Sequence, residues 1–246
     1  MIEHLVYISP HLDDAIFSCG GLIFEQVRAG IKVEIWTITG ASPDPNNLPE
    51  FAKVLHKRWG IKTEATSSRR AEDLKACEIV GAIPMHLNWL DCIYRFKNNG
   101  DALIKEDDDL FVKSPEKTLV NEIGKYLATH IPEDAQIITP IGLGGHIDHR
   151  LTCQAVSASG LDGSFYADYP YVTYDFKNNP QLESTQWSRV PQVISEDGLK
   201  AWQKAVLAYT SQLSTFWKNK AEVQLAINNF YGGGGGRLWK NNPIVS

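Results

Sequence analysis

The sequence has little that would mark a secreted, membrane-spanning or nucleic-acid-binding protein. Only four of its 246 residues are cysteine (Cys19, Cys77, Cys92 and Cys153), and no two form a C-x-x-C pair. Scattered cysteines in a chain of this length read as reduced, mostly buried thiols, so a cytoplasmic protein is expected. No apolar stretch reaches the roughly 18–20 residues that a membrane-crossing helix needs. The opening segment, "MIEHLVYISP", lacks the basic region and small-residue cleavage site of a signal peptide. Positive charge is also short. Lys and Arg number 24 against 29 Asp and Glu, a formal net charge of −5. That balance offers no surface for a polyanion, and nucleic acid is not an expected partner. No G-x-x-x-x-G-K-[ST] phosphate loop occurs anywhere, and the first strand-to-helix turn carries no G-x-G-x-x-G.

What is present is a substantial apolar content, 43% of residues, enough for one α/β domain spanning 1–246. Residues 4–9 (HLVYIS) and 32–39 (KVEIWTIT) read as buried strands rich in β-branched and aromatic residues. Helical spacing of small and apolar residues fills 15–29 and stops before Gly30. Loop composition marks 40–50. Helices are predicted over 51–60 and 67–80, the latter capped by Ser67 or Ser68 and stopped by Gly81. Residues 85–91 (MHLNWLD) and 135–142 (AQIITPIG) complete the predicted strands of the core, separated by a polar loop over 95–114 and a helix over 115–130. A further helix is predicted near 149–159, an aromatic strand over 164–175, and a late helix over 196–218. Strands alternating with helices argue for a mostly parallel sheet covered on both faces. The α/β core is expected over 1–160, and residues 161–246 are expected to decorate it and shape the substrate pocket. The run Gly232–Gly236 is either a mobile connection or a place where backbone must approach something closely.

In open α/β sheets, ligands bind beyond the carboxyl ends of the strands. That rule selects two clusters. His11-Leu12-Asp13-Asp14 follows the first strand, and His146-Ile147-Asp148-His149 follows the strand at 135–142. Together they gather three histidines and three aspartates. A hydrolytic zinc site uses about three His, Asp or Glu ligands and keeps one position for water. It lowers the water pKa from about 15.7 toward 7, and a carboxylate that is not a ligand can then act as general base. Adjacent aspartates in a tight turn point in different directions, so one can coordinate while the other faces the water. Each cluster alone also fits a plainer reading. Asp13-Asp14 suits a solvated helix N-terminus, and H-x-D-H suits a capping or surface segment. Two further readings compete with hydrolysis. One is a magnesium-dependent phosphotransferase or phosphatase, which three histidines disfavour because magnesium prefers oxygen. The other is a Rossmann-like nucleotide-binding module, which the acidic first turn disfavours.

The same residues resemble a known family. "SPHLDDAIFSCGG" is similar to the [AS]-H-P-D-D-E motif of the PIG-L/LmbE-like de-N-acetylases, and "GGHIDHR" to their H-x-D-H motif. "RRAEDLKACEIVGA", "LNWLD", "YADYPY" and "AYTSQ" have looser counterparts there. The resemblance implies a Rossmann-like α/β fold and a zinc-dependent hydrolase that removes acetyl or other acyl groups from amino-sugar conjugates such as those of N-acetylglucosamine. It implies His11, Asp14 and His149 as zinc ligands and Asp13 as general base. His146 would polarise the carbonyl or assist the leaving amine, and Asp148 would orient a histidine. Arg69 would contact substrate or the Asp13 region, although it also suits a surface pair with Asp73 one helical turn on, and Asp91 would contact a substrate hydroxyl, although it also suits a strand-end turn. Two positions depart from the family pattern: Leu12 replaces Pro, and Ala15 replaces Glu. Trp187, Trp202, Trp217, Tyr166, Tyr169 and Tyr171 are candidates for a sugar-stacking surface, with Trp202 and Tyr209 expected in the core.

Overall fold

Every residue of β1 (His4–Ser9) is buried, as a central strand covered on both faces requires. β1 pairs in parallel with β2 (Lys32–Thr37) on one side and β4 (Gln136–Pro140) on the other. β3 (Ile83–His86) and β5 (Gly163–Tyr166) extend the parallel run outward. β7 (Leu238–Asn241) joins β5 antiparallel, and β6 (Trp187–Arg189) joins β7 in the same sense. The sheet order is β3-β2-β1-β4-β5-β7-β6. The fold is thus the expected single-sheet, mostly parallel α/β arrangement of Rossmann-like type. This computed structural model describes residues 2–60, 65–175, 187–190 and 192–241.

Helices cover both faces. α1 (Asp14–Arg28) and α3 (Ala65–Val80) lie on one side. α5 (Lys117–His130) and α6 (Ile147–Ser159) lie on the other, packed so closely that a Cβ at Gly124 would stand 2.9 Å from the Ala155 carbonyl oxygen. α2 (Glu50–Arg58), a 3₁₀ turn at Cys92–Tyr94 and the short α4 (Asp109–Val112) close the carboxyl edge of the sheet around a small third core. Beyond β5 come α7 (Tyr171–Asp175), α8 (Glu196–Val206), α9 (Thr210–Phe216) and α10 (Lys220–Gly232).

Several element boundaries differ from the sequence reading. The third strand starts at Ile83 and ends at His86, and residues 87–91 turn instead toward the 3₁₀ helix. Ser67 and Ser68 lie inside α3 rather than capping it; residues 61–64, just before it, lie outside the described residues. The segment 164–175 divides into β5 and α7. The late helix is two helices. No proline or glycine breaks it. The Glu72 carboxylate of α3 accepts from Ser211 N (2.8 Å), Thr210 Oγ1 (2.6 Å) and Ser211 Oγ (2.6 Å), which starts a new helix there. The C-terminal third also does more than decorate, since it supplies β5, β6 and β7 to the sheet.

Trp202 and Tyr209 are fully buried, as expected. Trp202 seats on α1 where Gly20 and Gly21 leave room; a Cβ at Gly20 would lie 2.6 Å from Trp202 Cδ1. Its indole N–H donates to the Ile16 carbonyl at 2.8 Å. Trp202→Ala should therefore destabilise the protein by about 3–5 kcal/mol, the range for a truncated core aromatic. Urea unfolding measures this, and a loss below about 1 kcal/mol would show that α8 does not anchor α1.

Candidate active site

The chain after β1 folds into a tight turn because Ser9 organises it. Ser9 Oγ donates to the His11 carbonyl (2.7 Å) and accepts from Ala15 N (3.1 Å), and Asp13 N donates to the His11 carbonyl (3.0 Å). α1 then starts at Asp14. Asp13 sits at its N-cap with no side-chain cap bond, so the doublet is not serving as a helix cap. Asp14 Oδ2 accepts from His11 N at 2.8 Å and lies 3.0 Å from His11 Nδ1. Asp14 Oδ1 lies 3.3 Å from His149 Nε2. The carboxylate therefore stands between two imidazoles that reach it from opposite motifs. The His11 and His149 ring centroids are 5.4 Å apart, and His146 stands 5.0 Å from the first and 5.3 Å from the second.

A further carboxylate stands against each of His149 and His11. His149 Nδ1 lies 2.6 Å from Asp168 Oδ1, whose other oxygen accepts from Gly142 N (2.8 Å) and Leu143 N (3.0 Å). His11 Nε2 lies 3.2 Å from Asp148 Oδ2, which also accepts from Cys92 N at 2.8 Å, while Asp148 Oδ1 receives Arg95 Nη2 at 2.7 Å. The histidine that Asp148 stands against is His11. Asp168 and Arg95 were not singled out from the sequence. Asp168 follows β5 as the two motifs follow β1 and β4, so the strand-end rule applied once more selects it within "YADYPY".

Arg69 does not pair with Asp73. Its Nη2 lies 3.5 Å from Asp13 Oδ2 and its Nη1 3.6 Å from Asp91 Oδ2, and the guanidinium rests over Trp59 at 5.2 Å. Asp73 is committed elsewhere, to His86 (2.7 Å) and Tyr209 (2.6 Å). Asp91 also accepts from Ile93 N at 3.2 Å, which caps the 3₁₀ turn. All eight residues selected from the sequence are buried at one end of the sheet. A cavity of about 130 Å³ opens over them, lined by His11, Asp13, Asp14, Arg69, Asp91 and His146 together with Trp59, Tyr171 and Phe216. Of the proposed stacking aromatics only Tyr171 lines this cavity. Tyr166 bonds the Ile8 carbonyl in the core, and Tyr169 and Trp217 face a different cavity. The side chain of Trp187 lies outside the described residues.

The electrostatics follow from burial and close charges. Burial and the Asp14 carboxylate push Asp13 up to about 6, although Arg69 pulls the other way. Asp14 is held well below the usual carboxylate range: the His149 and His11 rings outweigh the burial that would raise it. Burial likewise raises Asp148, but Arg95 and His11 outweigh it and hold the group well down. His149 rises to about 9 because Asp14 and Asp168 overcome burial. Burial and the neighbouring His11 and His149 push His146 well down, toward the neutral ring. Its Nδ1 accepts from Asp148 N at 3.2 Å, which leaves the proton of the neutral ring on Nε2.

These residues suit a divalent cation. His149 Nε2 is buried with no hydrogen-bond partner despite its proximity to Asp14. Two donor atoms each about 2.0–2.1 Å from a tetrahedral zinc stand about 3.3–3.4 Å apart. The pairs His149–Asp14 at 3.3 Å and His11–Asp14 at 3.0 Å come close to that spacing. One ring nitrogen from each of His11, His146 and His149 also lies within 4.8 Å of the others. The second-tier carboxylates on His149 and His11 are the pattern that fixes ring orientation and basicity in metal sites.

Fold and site together define a metal-dependent hydrolase of the α/β class. The chain belongs to the PIG-L family, GlcNAc-PI de-N-acetylase, which matches residues 6–159, and it is accordingly a de-N-acetylase. It is similar to 2'-N-acetylparomamine deacetylase of Niallia circulans, 25% identical over 243 residues that cover 91% of this chain and 85% of that one. A Streptomyces fradiae protein of the same name is 29% identical over 176 residues, 67% of this chain and 56% of the other. Among solved structures it resembles a deacetylase of the teicoplanin biosynthesis pathway (TM-score 0.78, 25% identity, 96% of both chains covered). It also resembles the A40926 pseudoaglycone deacetylase (TM-score 0.70, 26% identity, 97% and 96% covered). Neither the phosphotransferase nor the nucleotide-binding reading survives that membership. No helix among the described residues is long and apolar enough to cross a membrane.

Asp168→Asn removes the charge that orients His149 while keeping the size of the side chain. Metal affinity should fall about 10–100-fold, measured by competition with a chromogenic chelator. An unchanged affinity would show that Asp168 serves the Gly142–Leu143 turn alone. Asp148→Asn should also cost stability, because among the described residues it leaves the buried Arg95 with Glu116 at 3.0 Å as its one acidic partner.

Proposed function

We propose that this protein removes an acetyl group from the amino nitrogen of an amino-sugar conjugate, with zinc held by His11, Asp14 and His149. The observation that carries this reading is the Asp14 carboxylate set between the two imidazoles, with His149 Nε2 buried and unpartnered. Zinc bound there supplies a Lewis acid that polarises the amide carbonyl and lowers the pKa of water toward 7. Asp13 is the adjacent carboxylate on the cavity side, not engaged with either ring, and it takes the proton of the attacking water. Arg69 holds Asp13 in place. His146, with its proton on Nε2, donates to the oxygen on which negative charge develops, an interaction worth roughly 3–4 kcal/mol in other hydrolases. The proton on Asp13 then passes to the leaving amine. Asp91 and Arg69 present one acceptor and one donor set to the sugar hydroxyls, and Tyr171 and Trp59 provide apolar walls.

The relatives support the substrate class. They are named for 2'-N-acetylparomamine, teicoplanin biosynthesis and the A40926 pseudoaglycone, and the family for GlcNAc-PI. The His₂Asp donor set favours zinc over magnesium, which prefers oxygen ligands.

Two outcomes are expected. Dialysis against a chelator should abolish release of acetate from N-acetylglucosamine conjugates, and about one equivalent of zinc should restore it where magnesium does not. Asp13→Ala should keep about one zinc by metal analysis yet lose at least 10²-fold in kcat. Undiminished turnover by that variant would remove Asp13 from the role of base.

A further inference from the structure

The cavity over the catalytic residues measures about 130 Å³. That is below the roughly 300–1,000 Å³ of a typical small-ligand site, so a larger conjugate extends past it. A second cavity of about 420 Å³ adjoins the first, and Pro170 and Phe216 line both. That volume lies within the range of small-ligand sites.

Its walls have a definite chemistry. Tyr169 stacks on Phe230 with centroids 4.2 Å apart and an interplanar angle of 24°, and Trp217 lies near-parallel on Tyr169 at 6.1 Å and 21°. Trp239 forms another wall. Arg237 is the one charged side chain among the described lining residues. Its Nε is buried without a hydrogen-bond partner, and no described carboxylate pairs with it.

The glycine run explains how this space exists. Gly234 (φ +95°) and Gly236 (φ +69°) adopt the left-handed backbone that other residues resist. A Cβ at Gly235 would collide with the Phe230 ring and push it off Tyr169. A Cβ at Gly236 would lie 2.8 Å from Trp202. A Cβ at Gly234 would lie 3.1 Å from Arg189 Nη1 and 3.6 Å from Arg237 Nη1. The run is therefore a packed turn that approaches aromatic rings and guanidinium groups closely.

We infer that this second cavity is a subsite for the non-reacting end of the substrate, and that it takes a planar aromatic group bearing an anionic oxygen. The inference deepens the deacetylase reading and rests on it for the word substrate. The ring inserts beside the Phe230–Tyr169–Trp217 stack, and the anion meets Arg237. The aromatic group is tethered across Pro170 and Phe216 to the amino sugar over Asp13.

Two measurements test this. The first is calorimetric titration with 2-naphthoate and with neutral 2-naphthylmethanol as probes. Wild type should bind naphthoate. Arg237→Gln should weaken naphthoate at least 10-fold and naphthylmethanol less than 3-fold. Asn229→Trp, placed on an exposed lining position of α10, should abolish both. The second compares kcat/KM for the 4-carboxyphenyl and methyl β-glycosides of N-acetylglucosamine. The aryl-over-methyl preference should fall at least 10-fold in both variants, with the change carried by KM. Naphthoate binding indifferent to both variants, or an unaltered aryl preference, would overturn the assignment. Naphthoate binding that depends on Arg237, with no acetate released from either glycoside, would overturn the amino-sugar reading and the subsite's link to it while leaving the cavity's ligand chemistry in place.

Discussion

The parallel pairing of β1 with β4 is the constraint from which the site follows. Leu5, Val6 and Tyr7 stand opposite Gln136, Ile137 and Ile138, so the two strands end side by side. Whatever follows each is delivered to the same place. His11 and His149 lie 138 positions apart in the chain, and their rings come within 5.4 Å. The register is secured by burial on both faces, since a one-residue slip of β1 would exchange the side chains packed under α1 with those packed under α5 and α6. Ser9 then fixes the first turn, and the packing of α5 on α6 fixes the second.

Such convergence brings together groups that repel one another. Asp13, Asp14, Asp91, Asp148 and Asp168 are all buried around the site, and only Arg69 and Arg95 are buried guanidiniums beside them. Five carboxylates against two fixed cations is a large negative surplus in a medium that screens poorly. Protons on the histidines relieve part of it, consistent with the raised pKa values of His11 and His149. A divalent cation held there would relieve it better, because His11 and His149 would bind it as neutral imidazoles and give up those protons. The same arithmetic gives Ala15 a physical meaning. That position is 1% exposed and packs in the apolar core, and a glutamate there would bury one more carboxylate next in sequence to Asp14.

Much of this was legible because strand-end placement depends on local pattern. The apolar runs at 4–9 and 135–142 each stop at a His/Asp cluster, and that alone named His11, Asp13, Asp14, His146, Asp148 and His149. What escaped was tertiary. Asp168 lies after β5, and its role depends on His149 reaching across from α6. Arg95 sits in a polar stretch with no pattern of its own, yet it is drawn in to answer Asp148. The alternative pairing of Arg69 with Asp73 obeyed helix spacing, but both side chains are buried, and Arg69 faces Asp13 and Asp91 while Asp73 meets His86. The split of the late helix had no marker either, because its cause is Glu72 on another helix.

Beyond Asp168, the C-terminal third stands apart from the residues assigned to the reaction. Those residues are drawn from the ends of β1, β4 and β5 and from α3, elements fixed by the sheet and its core. The second cavity is built from α7, α9, α10 and the glycine turn, which surround the site without supplying the residues assigned to the reaction. Substitutions there would alter the second cavity without touching the residues assigned to the reaction, and Pro170 and Phe216 are the shared boundary. The glycine turn carries much of this division. It lets Phe230 lie flat on Tyr169, and a single methyl group at Gly235 would force the ring out of the stack. The shape of the outer cavity is thus set by the absence of side chains at one turn, and the chemistry of the inner one by an excess of charge at three strand ends.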